Sequence, residues 1–258
     1  MQYIIAEKIA GNTDNLQISN GVTASEGTDI SLTDKLFCMS VPDSVIFGSS
    51  INFGQMRALS VKDRIPHLKS RIEFFLIDQV EPPDIVRVIV EAKKDGRIHE
   101  DYIFPRPFQL PVMTCVAVET LAQIAYSFER YGVGFRLVLS DIDLLFSEAI
   151  SDNFRRKLSG FMLTEDPVKE LAKINTYGDC MYSYFRNTMI HGYRATCVFL
   201  DHQQEGMIKE KEGYLILNPI LFWNAFKELF RKVFEDLINN PDSKYRSQCK
   251  CYLENILK

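Results

Sequence analysis

Four side chains of distinct chemistry stand close together in the run YFRNTMIHGYRA (184–195): Arg186, Asn187, His191 and Tyr193. A guanidinium presents a fork of N–H donors that matches the non-bridging oxygens of a phosphate. An imidazole changes charge near neutral pH, so it can pass a proton to or from an attacking or leaving oxygen. An amide side chain can orient either group. Together these residue types suit cleavage of RNA, whose own 2′-OH attacks the neighbouring phosphate; that chemistry needs no metal and no other cofactor. Donors aimed at the charge that develops on the phosphate oxygens are usually the largest catalytic contribution in such a site.

The element carrying these residues reads as a helix from about Thr176 to Gly192, with Tyr177, Met181, Tyr184, Phe185 and Thr188 as its core stripe. Glycine just past a helix is the usual left-handed stop. Asn187 and His191 are four apart and share a face. Arg186 and His191 are five apart, about 140° around an ideal helix. The reach of the arginine side chain and a kinked helix end could bridge that angle; a second copy of the chain, docked about a two-fold axis, closes it more simply by facing one motif with the other. The plain alternative is a helix end, because Arg and His in a last turn are favoured by the helix dipole.

The surrounding chain is expected to supply an α+β frame. After residue 111 the pattern is helical. Val118, Leu121, Ile124, Ala125, Phe128 and Tyr131 share one face, with Gly132 and Gly134 as a stop. Further helices are expected over 136–150, 153–163 and 167–173, and a short hairpin of ATCVFLD and GYLIL within 193–217. Asn218-Pro219 marks a helix start, since Asn caps free N–H groups and Pro fits the first turn. Phe222, Phe226, Leu229, Phe230, Val233 and Leu237 form its apolar face, and a last short helix runs over about 243–256.

Before residue 111 the reading is β-rich or mixed. Residues 11–34 are rich in Gly, Asn, Ser, Thr and Asp and read as a loop or arm. LFCMSVPDSVIFG (36–48) reads as strand broken at Pro42-Asp43. RIEFFLIDQ (71–79) fits strand or helix. Residues 84–104 read as a hairpin turning at Asp95-Gly96, where Gly supplies the positive φ of a tight turn. The three prolines of FPRPFQLP (104–111) mark a seam. The expected division is therefore 1–110, a part that senses or recruits a partner or substrate, and 111–258, a helical part.

The chain has 258 residues and a formal net charge of −4, with 46% hydrophobic and 25% charged residues. A normal core is expected without disulfides, and a broad grip on long duplex nucleic acid is not. The six cysteines include no Cys-x-x-Cys pair and no zinc spacing, which suits free thiols in a reducing compartment. The start MQYIIAEKIAG is not built as a signal peptide, and no run of about 18 apolar residues occurs, so the expected location is cytoplasmic, with no membrane partner.

Arg186-Asn187-x-x-x-His191-Gly192, late in a helical region, resembles the HEPN superfamily (higher eukaryotes and prokaryotes nucleotide-binding domains). The family motif is an arginine, four to six residues, then a histidine, with a polar residue after the arginine. The resemblance covers roughly 112–258. It implies a helical bundle that forms a homodimer across the motif helices. In active members it implies metal-independent endoribonuclease activity on RNA, in toxin–antitoxin, abortive-infection and antiviral systems. Carried over, Arg186 would hold the scissile phosphate, His191 would transfer a proton or bind phosphate, and Asn187 would position one of them. Arg-x-x-x-x-His-x-Tyr is similar to toxins paired with a nucleotidyltransferase antitoxin, in which the tyrosine is adenylylated; here that residue is Tyr193. The competing expectations are a non-catalytic HEPN-like module that binds nucleotide or a protein partner, and a purely structural helix end.

Other candidates are weaker. Glu119 lies within the apolar region of its helix and needs a partner if buried; Arg186 is the candidate partner, in a structural or a supporting catalytic role. His67, His99 and His202 are isolated. Arg155-Arg156-Lys157 is the compact basic cluster of the helical part, and Lys209-Glu210-Lys211-Glu212 reads as a mixed-charge surface run.

Overall fold

The computed structural model describes residues 42–48, 51–78, 94–96, 109–127, 131–161, 167–187 and 197–258. It divides the chain into Met1–Met39, which lies outside the described residues, and one compact unit, Ser40–Lys258. The fold is α+β. No helix among the described residues is long and apolar enough to cross a membrane.

The first described strands, β1 (Ile46–Gly48) and β2 (Ile51–Asn52), pair antiparallel. The chain then turns helical, so the described part before residue 79 is mixed, one of the two characters expected. Asn52 caps α1 (Phe53–Ala58) by a reciprocal box with Gln55, and Ser60 caps α2 (Val61–Ile72). A π-helical turn, Glu73–Ile77, continues α2, so RIEFFLIDQ is helical as far as it is described. Ile65, Leu68 and Ile72 recur at helical spacing and are buried. The expected hairpin over 84–104 lies outside the described residues except for its turn, where Gly96 has the expected positive φ of 68°.

The centre of the unit is α3 (Gln109–Ala125). It packs against α4 (Tyr131–Ile142), α8 (Pro219–Asn239) and α9 (Arg246–Ile256). α2 rests on α8 and α9 as well; most of the seam read at 104–111 lies outside the described residues. Phe47 and Met56 join Leu121, Phe135, Phe185 and Phe226 in one hydrophobic cluster. Each such fully buried side chain contributes about 1.5–3 kcal/mol of transfer free energy.

Gly132 and Gly134 do not stop α3, which ends at Ala125; both lie inside α4. Their role is close approach. A Cβ at Gly132 would stand 2.9 Å from the Tyr182 ring, and one at Gly134 would stand 3.2 Å from the Ala122 Cβ. Two glycines on one helix therefore let α4 sit tightly on α3 and on the segment carrying the Arg-Asn pair.

The chain continues through a 3₁₀ turn (Leu144–Ser147), α5 (Asp152–Phe161) and α6 (Pro167–Leu171) to α7 (Tyr177–Cys180). Next come β3 (Val198–Leu200), β4 (Ile208–Lys211) and β5 (Tyr214–Leu217), in the sheet order β3-β5-β4. The expected hairpin partner of β5 is the segment containing β3. Instead β3 runs parallel to β5, and β4 forms the hairpin. The turn explains this. Glu212 and Gly213 both have positive φ, 56° and 78°, as a two-residue type I′ turn demands. Lys209–Lys211 thus belongs to a strand, and Lys209, Lys211 and Glu212 of the mixed-charge run are exposed as expected.

α8 starts where its cap residues indicate. The Asn218 side-chain oxygen accepts from the backbone N–H of Ile220 and Leu221, and Pro219 occupies the first turn. Phe222, Phe226, Phe230, Val233 and Leu237 are buried as expected, while Leu229 is partly buried.

Candidate functional site

The segment that presents Arg186 is anchored at its start. Thr176 caps α7: its hydroxyl accepts from the Asp179 N–H at 3.1 Å, and Asp179 accepts in return from the N–H groups of Asn175 and Thr176, each at 3.0 Å. The other Asp179 oxygen meets Arg136 of α4 at 3.0 Å. Gly178 lies so close to the Phe146 carbonyl that a Cβ would stand 2.9 Å from its oxygen. These contacts fix the direction in which the chain leaves α7.

It leaves as a π-helical turn, Met181–Arg186. The i→i+5 pattern inserts an extra residue into the turn, and such insertions are rare and frequent at functional sites. Met181 and Phe185 point into the core, and Tyr182 packs on Phe135 with ring centroids 5.4 Å apart. Arg186 closes the turn.

Three side chains orient the Arg186 guanidinium. Nη2 donates to Glu119 Oε2 on α3 at 2.5 Å, and Nη1 donates to Asn187 Oδ1 at 2.7 Å. The Tyr182 ring lies beneath, with its centroid 5.8 Å from Cζ. The side chains of Arg186 and Glu119 are 17% and 19% exposed, so the pair is shielded but reachable. Two of the five guanidinium donors are used in these bonds. Nε is buried and makes no hydrogen bond among the described residues. One turn before Glu119, burial pushes the Cys115 thiol up to about 12, against a smaller lowering by the Arg186 charge.

The expected contact between Glu119 and Arg186 is therefore present, as is the Arg186–Asn187 neighbourhood. His191 and Tyr193 lie outside the described residues, as do Phe128, Thr188 and His99. His67 lies on α2, and His202 comes just after β3. In the basic cluster, Arg155 donates to the Leu171 carbonyl at 3.3 Å, and Lys157 lies over the Tyr214 ring.

Tyr182 does not stand out in the sequence. Its signal is the aromatic–arginine spacing of four along a helical segment, which puts ring and guanidinium on one face. Cys180 and Cys197 do not stand out either. Their sulfurs are 3.7 Å apart and buried, which ties the end of α7 to the start of β3.

No family model, curated protein or solved structure matches the chain.

Proposed function

We propose that this chain is a HEPN-type endoribonuclease that cleaves RNA without a metal, by attack of a 2′-OH on the adjacent phosphate. The observation that carries the proposal is the preset Arg186 guanidinium: held by Glu119, Asn187 and Tyr182, partly shielded, and with two of its five N–H donors engaged among the described residues. A phosphate oxygen arriving there meets a cation that loses little further side-chain freedom on binding. Low solvent exposure strengthens its attraction to developing negative charge. In this reading Arg186 binds the scissile phosphate and Asn187 steers Arg186. His191 transfers the proton, and a second copy of the chain completes the cleft. Tyr193 is then the residue through which an antitoxin nucleotidyltransferase would silence the enzyme, in a toxin–antitoxin or antiviral setting.

One observation favours a second reading. Glu119 already neutralises Arg186, as a structural ion pair would. On that reading the chain is a non-catalytic HEPN-like module that binds nucleotide or a protein partner.

Incubating the purified protein with labelled single-stranded RNA separates the two. The nuclease reading expects cleavage by the wild type and a fall of at least about 100-fold for Arg186→Ala, as for loss of one transition-state donor. His191→Ala is expected to fall similarly, with both variants folded by circular dichroism. Intact RNA with the wild type leaves the binding-module reading.

A further inference from the structure

The three-stranded sheet has two unlike faces. One is buried: Val198, Ile208, Leu215 and Leu217 point into the core. Glu210 shares that face, where its carboxylate accepts from the hydroxyls of Tyr177 and Ser151. The register puts Phe199 opposite Ile216, Ile216 opposite Lys209, and Tyr214 opposite Lys211. These five residues therefore line the other face. Phe199 is 54% exposed, although large aromatic side chains are normally covered. Lys209 and Lys211 are exposed along one edge strand, and Phe199 stands on the other.

The aromatic group is organised. The Tyr214 ring meets Phe199 edge to face at 5.0 Å and Phe161 at 6.3 Å. Lys157 of α5 reaches over the Tyr214 ring, with Nζ 5.0 Å from the centroid. Three cations thus share a side of the sheet with an aromatic group whose outermost ring, Phe199, is exposed while Tyr214 and Phe161 are half-buried, and no strand residue on this face carries a carboxylate. Lysines on an edge strand by themselves only discourage strand pairing. They do not account for an open phenyl ring across the sheet.

We propose that this sheet face binds single-stranded RNA, with a base stacked on Phe199 and phosphates met by Lys157, Lys209 and Lys211. Exposed aromatics flanked by cations are the chemistry by which single strands are held without sequence readout. A duplex keeps its bases stacked and offers none to Phe199. The Cys180–Cys197 contact keeps the start of β3 beside the end of α7, from which the turn carrying Arg186 departs. The inference deepens the nuclease reading by naming its substrate as single-stranded RNA. It rests on that reading for the cleavage step, not for the binding.

The test uses a fluorescein-labelled 12-nucleotide 2′-O-methyl oligouridylate, which lacks the attacking hydroxyl, and fluorescence anisotropy with the full chain. Phe199→Ala should weaken binding about 5- to 150-fold, the range for one lost base stack, and Phe199→Tyr should restore it. The double variant Lys209→Ala/Lys211→Ala should flatten the slope of log affinity against log salt by about 1.4. All three changes are at exposed positions, and circular dichroism checks the fold. Unchanged affinity in Phe199→Ala and in the lysine variant overturns the proposal. So does failure to bind the single strand, or duplex RNA binding at least as tightly. If Phe199→Ala instead shifts the sedimentation coefficient and leaves RNA affinity unchanged, the face is a protein contact and the proposal is overturned. Tight binding of the analogue without cleavage of unmodified RNA supports this face and removes the nuclease reading. Cleavage and binding indifferent to Phe199→Ala do the reverse.

Discussion

Glu119→Gln keeps the shape of the side chain opposite Arg186 and removes its charge. Breaking a fully buried ion pair by changing one partner costs about 3–5 kcal/mol, while an exposed pair is worth about 0.2–1 kcal/mol. With side-chain exposures of 17% and 19%, this pair lies toward the buried end. Asn187 and Tyr182 still hold the guanidinium in the variant, and the glutamine can still accept a hydrogen bond. The expected cost is therefore about 2 kcal/mol. In a unit of this size that is a drop in Tm of about 4–8 °C. Urea unfolding followed by circular dichroism measures it directly. A double-mutant cycle with Arg186→Met isolates the pair, because the double variant leaves no unpaired charge. We expect a coupling energy of about 1–2 kcal/mol. A coupling under about 0.5 kcal/mol would refute the argument that Glu119 orients Arg186.

Asn218→Ala removes a cap that serves two N–H groups, and the donors its amide gives to the His202 and Gln204 carbonyls. It should cost about 2 kcal/mol, at the upper end for a cap, read as a lower urea midpoint. Gly178→Ala should destabilise by about 1–3 kcal/mol, because its Cβ would press on a backbone oxygen. Gly160→Ala, in α5 with open space around it, should instead stabilise by about 0.5 kcal/mol, and thermal scans of the two variants should move in opposite directions. Burial and the hydrogen bond to Glu210 push the Tyr177 hydroxyl up to about 12, and burial pushes the Cys115 thiol up to about 12. A pKa raised on folding means that the folded protein holds the proton more tightly. Stability from Cys115 is thus full below about pH 9 and that from Tyr177 below about pH 10, and both are lost toward pH 12. Unfolding free energy measured across pH 8–11 should fall from about pH 9, and Tyr177→Phe should flatten the part above pH 10.

Features that act through neighbouring residues were legible in the sequence. Asn218-Pro219 announces α8, because a cap works within three residues. Thr176 announces α7 in the same way, and the apolar spacing of α8 marks its buried face. The Glu119–Arg186 contact was legible because a carboxylate on an apolar stretch needs a cation. What depends on distant packing was not. Gly132 and Gly134 look like a stop, yet their lack of a Cβ serves contacts with Tyr182 and Ala122, far away in sequence or on another helix. β4 was hidden because its turn uses Glu-Gly rather than Asn-Gly or Asp-Gly, and because inward-facing Glu210 breaks the apolar alternation. The π-helical turn at Met181–Arg186 shifts the helical phase by a single residue, which a six-residue stretch does not reveal.

The most direct test of the nuclease reading is the end-group chemistry of the RNA products. Unmodified, end-labelled single-stranded RNA is incubated with the purified chain in excess EDTA, and the fragments are analysed by mass spectrometry. Attack by the 2′-OH breaks the bond to the 5′-oxygen, so one fragment should end in a 2′,3′-cyclic phosphate and the other should begin with a 5′-hydroxyl. These products should vanish with Arg186→Ala and with His191→Ala. Intact RNA, fragments with 5′-phosphate ends, or equal cleavage by both variants would contradict the account.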